Sequence, residues 1–232
     1  MNEIAVVTAV TGDYDYGFKH AANHRKDVDY IYFTDGKSFP LDDHWKVSML
    51  PTGVTEDLCK LAKIPKINPH SIPELCEYKY VIWIDGSMQI VSNTFINDIL
   101  SYLDNGLVLS PHFDGRNCGY SEATIRPPKY ASQDLDGQCD FYRSQNFPEN
   151  YGLYEAGVEA RDMTAPKVKE FGEIWMQQIL DWTTQDQVSC GYSLWKAGLV
   201  PDVLDKSWRD YGWIHINAHL KPQNYAGGIY HD

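Results

Sequence analysis

The run Tyr80-Val81-Ile82-Trp83-Ile84, closed by Asp85-Gly86-Ser87, constrains this chain more than any other feature. Five successive apolar residues, mostly β-branched or aromatic, form no polar face and stop too soon for a helix of ordinary length. Such a strand must be buried on both sides, as happens in a sheet covered by helices on each face. Ile4–Ala9, ending at Thr-Gly, and Tyr30–Phe33, closed by Thr34-Asp35-Gly36, have the same form. Residues 45–50, 107–109 and 153–160 read as further strands. Between them, helices are expected near residues 16–24, 55–63 with Thr55 as N-cap, 94–103, 130–145, 165–182 and 185–197, with Gly198 at the C′ position of the last. Residues 111–128, carrying Pro, Gly, Asn and Arg, read as a long loop, a kind of segment that is usually functional or disordered. Strands alternating with helices define an α/β sheet.

At 232 residues the chain suits one or two domains, and no Gly/Ser linker, repeat or low-complexity stretch divides it. No apolar run approaches the ~20 residues of a membrane span. The start, Met1-Asn2-Glu3, lacks the basic and apolar regions of a signal peptide, so a cytoplasmic setting is expected. Five cysteines, with no C-x-x-C, are expected as reduced thiols rather than zinc ligands. The net charge of −12 opposes non-specific binding to nucleic acid or an acidic membrane, leaving room only for a local basic groove.

Four clusters could carry chemistry. Asp85, leaving a buried strand, sits where open α/β sheets bind ligands and where a carboxylate can hold a divalent cation; Asp-Gly is also an ordinary turn. Thr184-Gln185-Asp186-Gln187 lies at a helix start, where Thr184 could simply cap and the acid favour the first turn. His215 and Lys221, six apart before Pro222, could offer a metal ligand and a phosphate contact, or be surface residues. Arg116 to Ala123 brings Arg and Glu into the long loop, as an ion pair or a grip on substrate.

In order, Val7-Thr8-Ala9, Phe33-Thr34-Asp35, Lys63–Pro69, Ile82–Gly86, Glu155-Ala156-Gly157-Val158 and Asp186-Gln187 resemble a GT-A-type glycosyltransferase across nearly the whole chain. The TOD1-type and mucilage-related glycosyltransferase-like family is similar through Trp83-Ile84-Asp85-Gly86, His112 with Arg116–Ala123, and Gln185-Asp186-Gln187. Glycogenin-like retaining enzymes are similar through His215 to Gln223, with Ala218 for a glycine and Gln223 for a tryptophan. The resemblance implies a single GT-A (Rossmann-like) domain over 1–232, with a mixed, mostly parallel sheet. The nucleotide-binding part would span about 1–110 and the acceptor side about 111–232.

It also implies roles. Asp85 would match the first Asp of Asp-x-Asp, with Ser87 in place of the second; a hydroxyl is a poorer ligand than a carboxylate. His215 would be the third ligand to Mn²⁺ or Mg²⁺, and Lys221 would meet the donor β-phosphate. Thr8, Ala9 and Asp35 would lie near the base, and Lys63 near the pyrophosphate. Glu155, Asp186 and Gln187 would line the sugar as catalytic residues, and Arg116 and Glu122 the acceptor side. The implied reaction moves a sugar, with retention, from a nucleoside-diphosphate sugar, most simply a UDP-sugar. The acceptor would be a glycan or small molecule, with a modified DNA base as a lesser option. A metal-assisted hydrolase on the same fold, and a non-catalytic nucleotide-sugar-binding module, stay open.

Overall fold

A computed structural model describes residues 2–12, 14–15, 25–40 and 42–219. Among the described residues there are nine strands: β1 (Ile4–Val10), β2 (Val28–Thr34), β3 (Trp45–Met49), β4 (Tyr80–Ile84), β5 (Met88–Ile90), β6 (Leu107–Pro111), β7 (Tyr154–Asp162), β8 (Asp202–Val203) and β9 (Ile214–Ile216). The helices are α1 (Leu58–Ala62), α2 (Ile64–Ile67), α3 (Phe95–Leu100), α4 (Gly119–Ile125), α5 (Leu135–Ser144), α6 (Pro166–Asp181) and α7 (Asp186–Ala197). Seven strands form one mixed sheet in the order β3-β2-β1-β4-β7-β6-β8, and β5 pairs with β9 in a small ribbon. Pairings β1–β2, β1–β4, β2–β3 and β6–β8 are parallel; β4–β7 and β6–β7 are antiparallel. Only β7 therefore runs against the rest.

The expected double burial follows from the side-chain period of two. In β4, Val81 and Trp83 face a core shared with α2, α6 and α7, including Ile67, Phe171 and Trp175. Ile82 and Ile84 face a second core with Phe95, Ile96 and Ile99 of α3, and with Trp208 and Trp213. Each such side chain contributes about 1.5–3 kcal/mol by leaving water. A third cluster joins α4, α5 and α7, where the Tyr142 and Tyr192 rings stack at 4.0 Å.

Several local expectations are corrected. Asp57, not Thr55, caps α1, accepting from the Cys59 and Lys60 N–H groups. The expected helices over 94–103 and 130–145 are shorter, because the flanking residues form turns. Thr184 does not cap α7: its N–H and hydroxyl bond the Gln133 side chain, and Gln185 takes the N-cap position without a side-chain bond. The expected loop over 111–128 contains α4, which turns Tyr120 and Ala123, three apart, into the third cluster. Gly198 does end α7 in the left-handed conformation at φ 60°. The helix expected over 16–24 lies outside the described residues. No helix among the described residues is long and apolar enough to cross a membrane.

Candidate active site

Because β7 alone is reversed, one edge of the sheet gathers the ends of β1, β2, β4 and β6 with the start of β7. Thr11-Gly12, Asp35, Asp85, His112-Phe113 and Tyr154-Glu155 are thus brought to the edge where α/β sheets bind ligands. Asp85 holds the middle. Its N–H donates to Gly157 O at 3.0 Å, and its carbonyl accepts from Met88 N at 3.0 Å, closing the turn after β4. Its Oδ1 accepts from Trp83 Nε1 at 2.9 Å, yet the side chain is 43% exposed. Gly157 is required by this approach. A Cβ there would lie 2.7 Å from Met88 Cε and 3.4 Å from Asp85 Oδ2.

Beside Asp85 lies a buried charge cluster. Lys66 Nζ is 3.6 Å from Asp85 Oδ1 and 2.6 Å from Asp186 Oδ2, and Lys63 Nζ reaches the same Asp186 oxygen at 2.8 Å. Three residues apart on one helical turn, the two lysines share a face. Burial would push the Asp186 carboxyl up, but the two ammonium groups outweigh it and hold the group well below the carboxylate range. Burial would likewise lower Lys66, yet Asp186, Asp85 and Glu159 together hold it charged and above its usual value. Asp186 Oδ1 accepts from Gln187 N, so the expected catalytic acid is committed as a clamp on two cations. Gln187 is half-buried, and its amide side chain makes no hydrogen bond among the described residues. Beneath the cluster, Glu159 is fully buried. Burial raises its carboxyl despite Arg161, which donates to it at 2.9 Å and to Ile67 O at 2.9 Å.

On the acceptor side, Glu155 is also committed. It is buried, and its oxygens accept from Phe113 N at 3.0 Å, Ser207 Oγ at 3.2 Å and Arg209 Nε at 3.2 and 3.3 Å. Arg116 donates to Glu122 Oε2 at 2.6 Å, and Gln185 Nε2 to Glu122 Oε1 at 2.7 Å, tying α4 to the start of α7. Arg116 also pairs with Asp114, whose carboxyl sits at about 2: burial, which would raise it, is outweighed by bonds from Arg116 and His112. Arg116 and Glu122 therefore form a structural pair.

Thr8, Ala9 and Asp35, expected near a base, lie along and beyond β1 and β2. Thr8 is fully buried inside β1, and its hydroxyl has no partner among the described residues; Ala9 is buried too. The strand continues to Val10, so its open end is Thr11-Gly12. There Asp35 Oδ2 accepts from Gly12 N at 3.0 Å. Tyr14 stands over this end, its hydroxyl raised by burial and by the nearby Asp85 charge, and His219 packs edge-on against it at 4.9 Å while pairing with Asp15 at 2.9 Å. His215 is exposed in β9 opposite Gln89, and Asn217 N donates to Ser87 O at 2.8 Å, so the ribbon carries the His215 strand to Ser87. Lys221 lies outside the described residues.

The donor set for Mn²⁺ or Mg²⁺ does not fit a preformed site. Among the described residues no three His, Cys, Asp or Glu side chains converge, and an ammonium, Lys66, already stands at the Asp85 carboxylate. Lys66, Tyr14 and Arg209 escaped the sequence reading. For Lys66, the available signal was its spacing of three from Lys63.

A mixed sheet with a carboxylate at the end of its central strand, and cations beside it, is a place where an α/β sheet can take an anionic ligand. Residues 36–204 match the TOD1/MUCI70, glycosyltransferase-like domain, and the chain belongs to that family. Among solved structures, it is similar to the apo structure of WbbM, a bifunctional glycosyltransferase. The TM-score is 0.53 at 12% identity, over 87% of this chain and 38% of that one. The present chain thus spans well under half of that structure, and the likeness is one of fold. Comparison with the curated proteins gives no match.

Proposed function

We propose that this glycosyltransferase takes a nucleoside-diphosphate sugar, most simply a UDP-sugar, across the ends of β2, β1 and β4. The supporting observation is the half-exposed Asp85 carboxylate at the end of β4, with the Lys66 ammonium 3.6 Å away and Lys63 tethered by Asp186. In the proposed reaction the bond from the anomeric carbon to the β-phosphate oxygen breaks, and the electron pair stays on that oxygen. Lys63 and Lys66 stabilise the charge where it grows, preorganised by Asp186 rather than by water. Asp85 accepts from a ribose hydroxyl, and the unengaged Gln187 amide faces the sugar. The acceptor hydroxyl then bonds the anomeric carbon and gives its proton to the departing phosphate oxygen.

Retention is the favoured outcome. An inverting transfer needs a general base on the acceptor side. Glu155 and Asp186 are both bound to cations and are poor bases. A glycan or small-molecule acceptor fits the net charge of −12 better than a modified DNA base.

The test is thermal unfolding with uridine diphosphate, with and without Mn²⁺. A ligand at 100 times its Kd adds about 2.7 kcal/mol of stability, readily seen as a rise in melting temperature. No rise with any nucleoside diphosphate, in either condition, overturns the donor-site reading.

A further inference from the structure

We propose that Phe113 and Arg209 form the acceptor's sugar-binding platform, a subsite for a glycan ring; this rests on the glycosyltransferase reading above. Phe113 is 63% exposed although it sits at the same sheet edge as Asp85. Single exposed apolar residues are common and need no explanation. This one differs because a buried carboxylate holds it. Glu155, 3% exposed, binds the Phe113 N–H and the Arg209 guanidinium together. Charged side chains are seldom buried unless paired, and here the paired groups are the ring's own backbone and its neighbouring cation.

Arg209 extends the platform. Its guanidinium lies over Phe113 at 5.6 Å and over Trp208 at 4.5 Å. Only Nε bonds Glu155; both terminal nitrogens, four N–H donors in a planar fork, donate to nothing among the described residues. The side chain is 45% exposed, so the fork is open to a ligand. Trp208 joins this surface to the reaction centre. Its ring comes within 3.3 Å of the Cβ position at Gly157, and the same point is 3.4 Å from Asp85 Oδ2. An apolar ring face beside an unoccupied fork of donors matches a pyranose, whose C–H face packs on aromatics and whose hydroxyls or carboxylate accept hydrogen bonds. Glu155 is then a positioning residue that orients both partners.

The test uses saturation-transfer NMR and titration with two probes: cellotetraose for neutral rings and a hyaluronan tetrasaccharide for uronate rings. At least one should bind. Phe113→Ala should weaken that binding about tenfold, the equivalent of roughly 1.4 kcal/mol. Arg209→Lys should weaken the uronate probe more than the neutral one if a carboxylate is read, and both alike if only hydroxyls are. Either pattern supports the platform. Both variants should keep the wild-type melting temperature and its rise with uridine diphosphate. If the nucleotide rise persists while neither probe binds, or binding survives Phe113→Ala unchanged, the platform is overturned and the donor reading stands. If the nucleotide rise is itself absent in wild type, it is the donor reading that fails.

Discussion

The end of β4 and the start of α7 each bring an aspartate to one lysine, and treat it in opposite ways. Asp85 is 43% exposed in its side chain, with the Lys66 ammonium at 3.6 Å. Asp186 is 9% exposed, with two ammonium groups inside 3 Å. A carboxylate that meets a ligand has to keep a desolvation cost it can recover on binding. One that holds buried lysines has to be fully paired, because an uncompensated buried charge costs several kcal/mol. Position at a sheet edge therefore does not identify a ligand-binding acid; the state of its oxygens does.

Substituting the two aspartates should separate these roles. Asp85→Asn should cut sugar transfer by two to three orders of magnitude, about the loss seen when one preorganised electrostatic contact is removed. Its melting temperature should barely move. Asp186→Asn should instead lower the unfolding free energy by about 3–5 kcal/mol, since Lys63 and Lys66 lose their shared partner. Urea titration and donor-nucleotide release measure both. A stable Asp186→Asn or an unfolded Asp85→Asn would break the comparison.

Gly157→Ala should cost about 1–3 kcal/mol, the range for overpacking. Met88 Cε must yield, while the added Cβ meets Asp85 Oδ2 at an ordinary contact distance, so any loss of transfer should come through the shift of Met88 beside the Asp85 turn. Unchanged kinetics would show that the close approach at Gly157 does not set the Asp85 orientation.

The smallest expected effect is on pH dependence. The folded-state carboxyl of Asp186 lies below its usual 3.8, so its contribution is complete above that value and is lost as pH falls towards the folded value. Glu159 is raised above 4.5 and acts oppositely, lowering stability as pH rises through 4.5. The Asp186 contribution should therefore weaken the wild-type urea midpoint on acidification from about pH 4 towards about pH 2, and Asp186→Asn should show a shallower acid limb. Parallel acid limbs would remove Asp186 from the charge cluster.

How far the site was legible follows chain distance. Strands β1, β2 and β4 were plain because apolar runs and their closing turns are written in consecutive residues. The α/β sheet and the place of Asp85 at a strand end followed from them, while the mixed, mostly parallel order came from the family resemblance. Helix α4 was not, because Pro, Gly and Asn around it mask a short apolar face that is stabilised by packing on α5 and α7. Asp186 and Glu155 were singled out as residues, but the bonds that hold them were not legible. The bonds that redefine Asp186 reach across 123 and 120 residues, and those of Glu155 come from positions as distant as Arg209.

The sequence by itself determined which segments must be buried and where the chain must turn, since burial period and backbone preference are local properties. Only the tertiary structure decided which carboxylates are buried and locked onto remote cations. That choice depends on whether a cation from a remote segment arrives within hydrogen-bonding distance, and pairing energy at such distances in a buried site outweighs any local propensity of the acid itself.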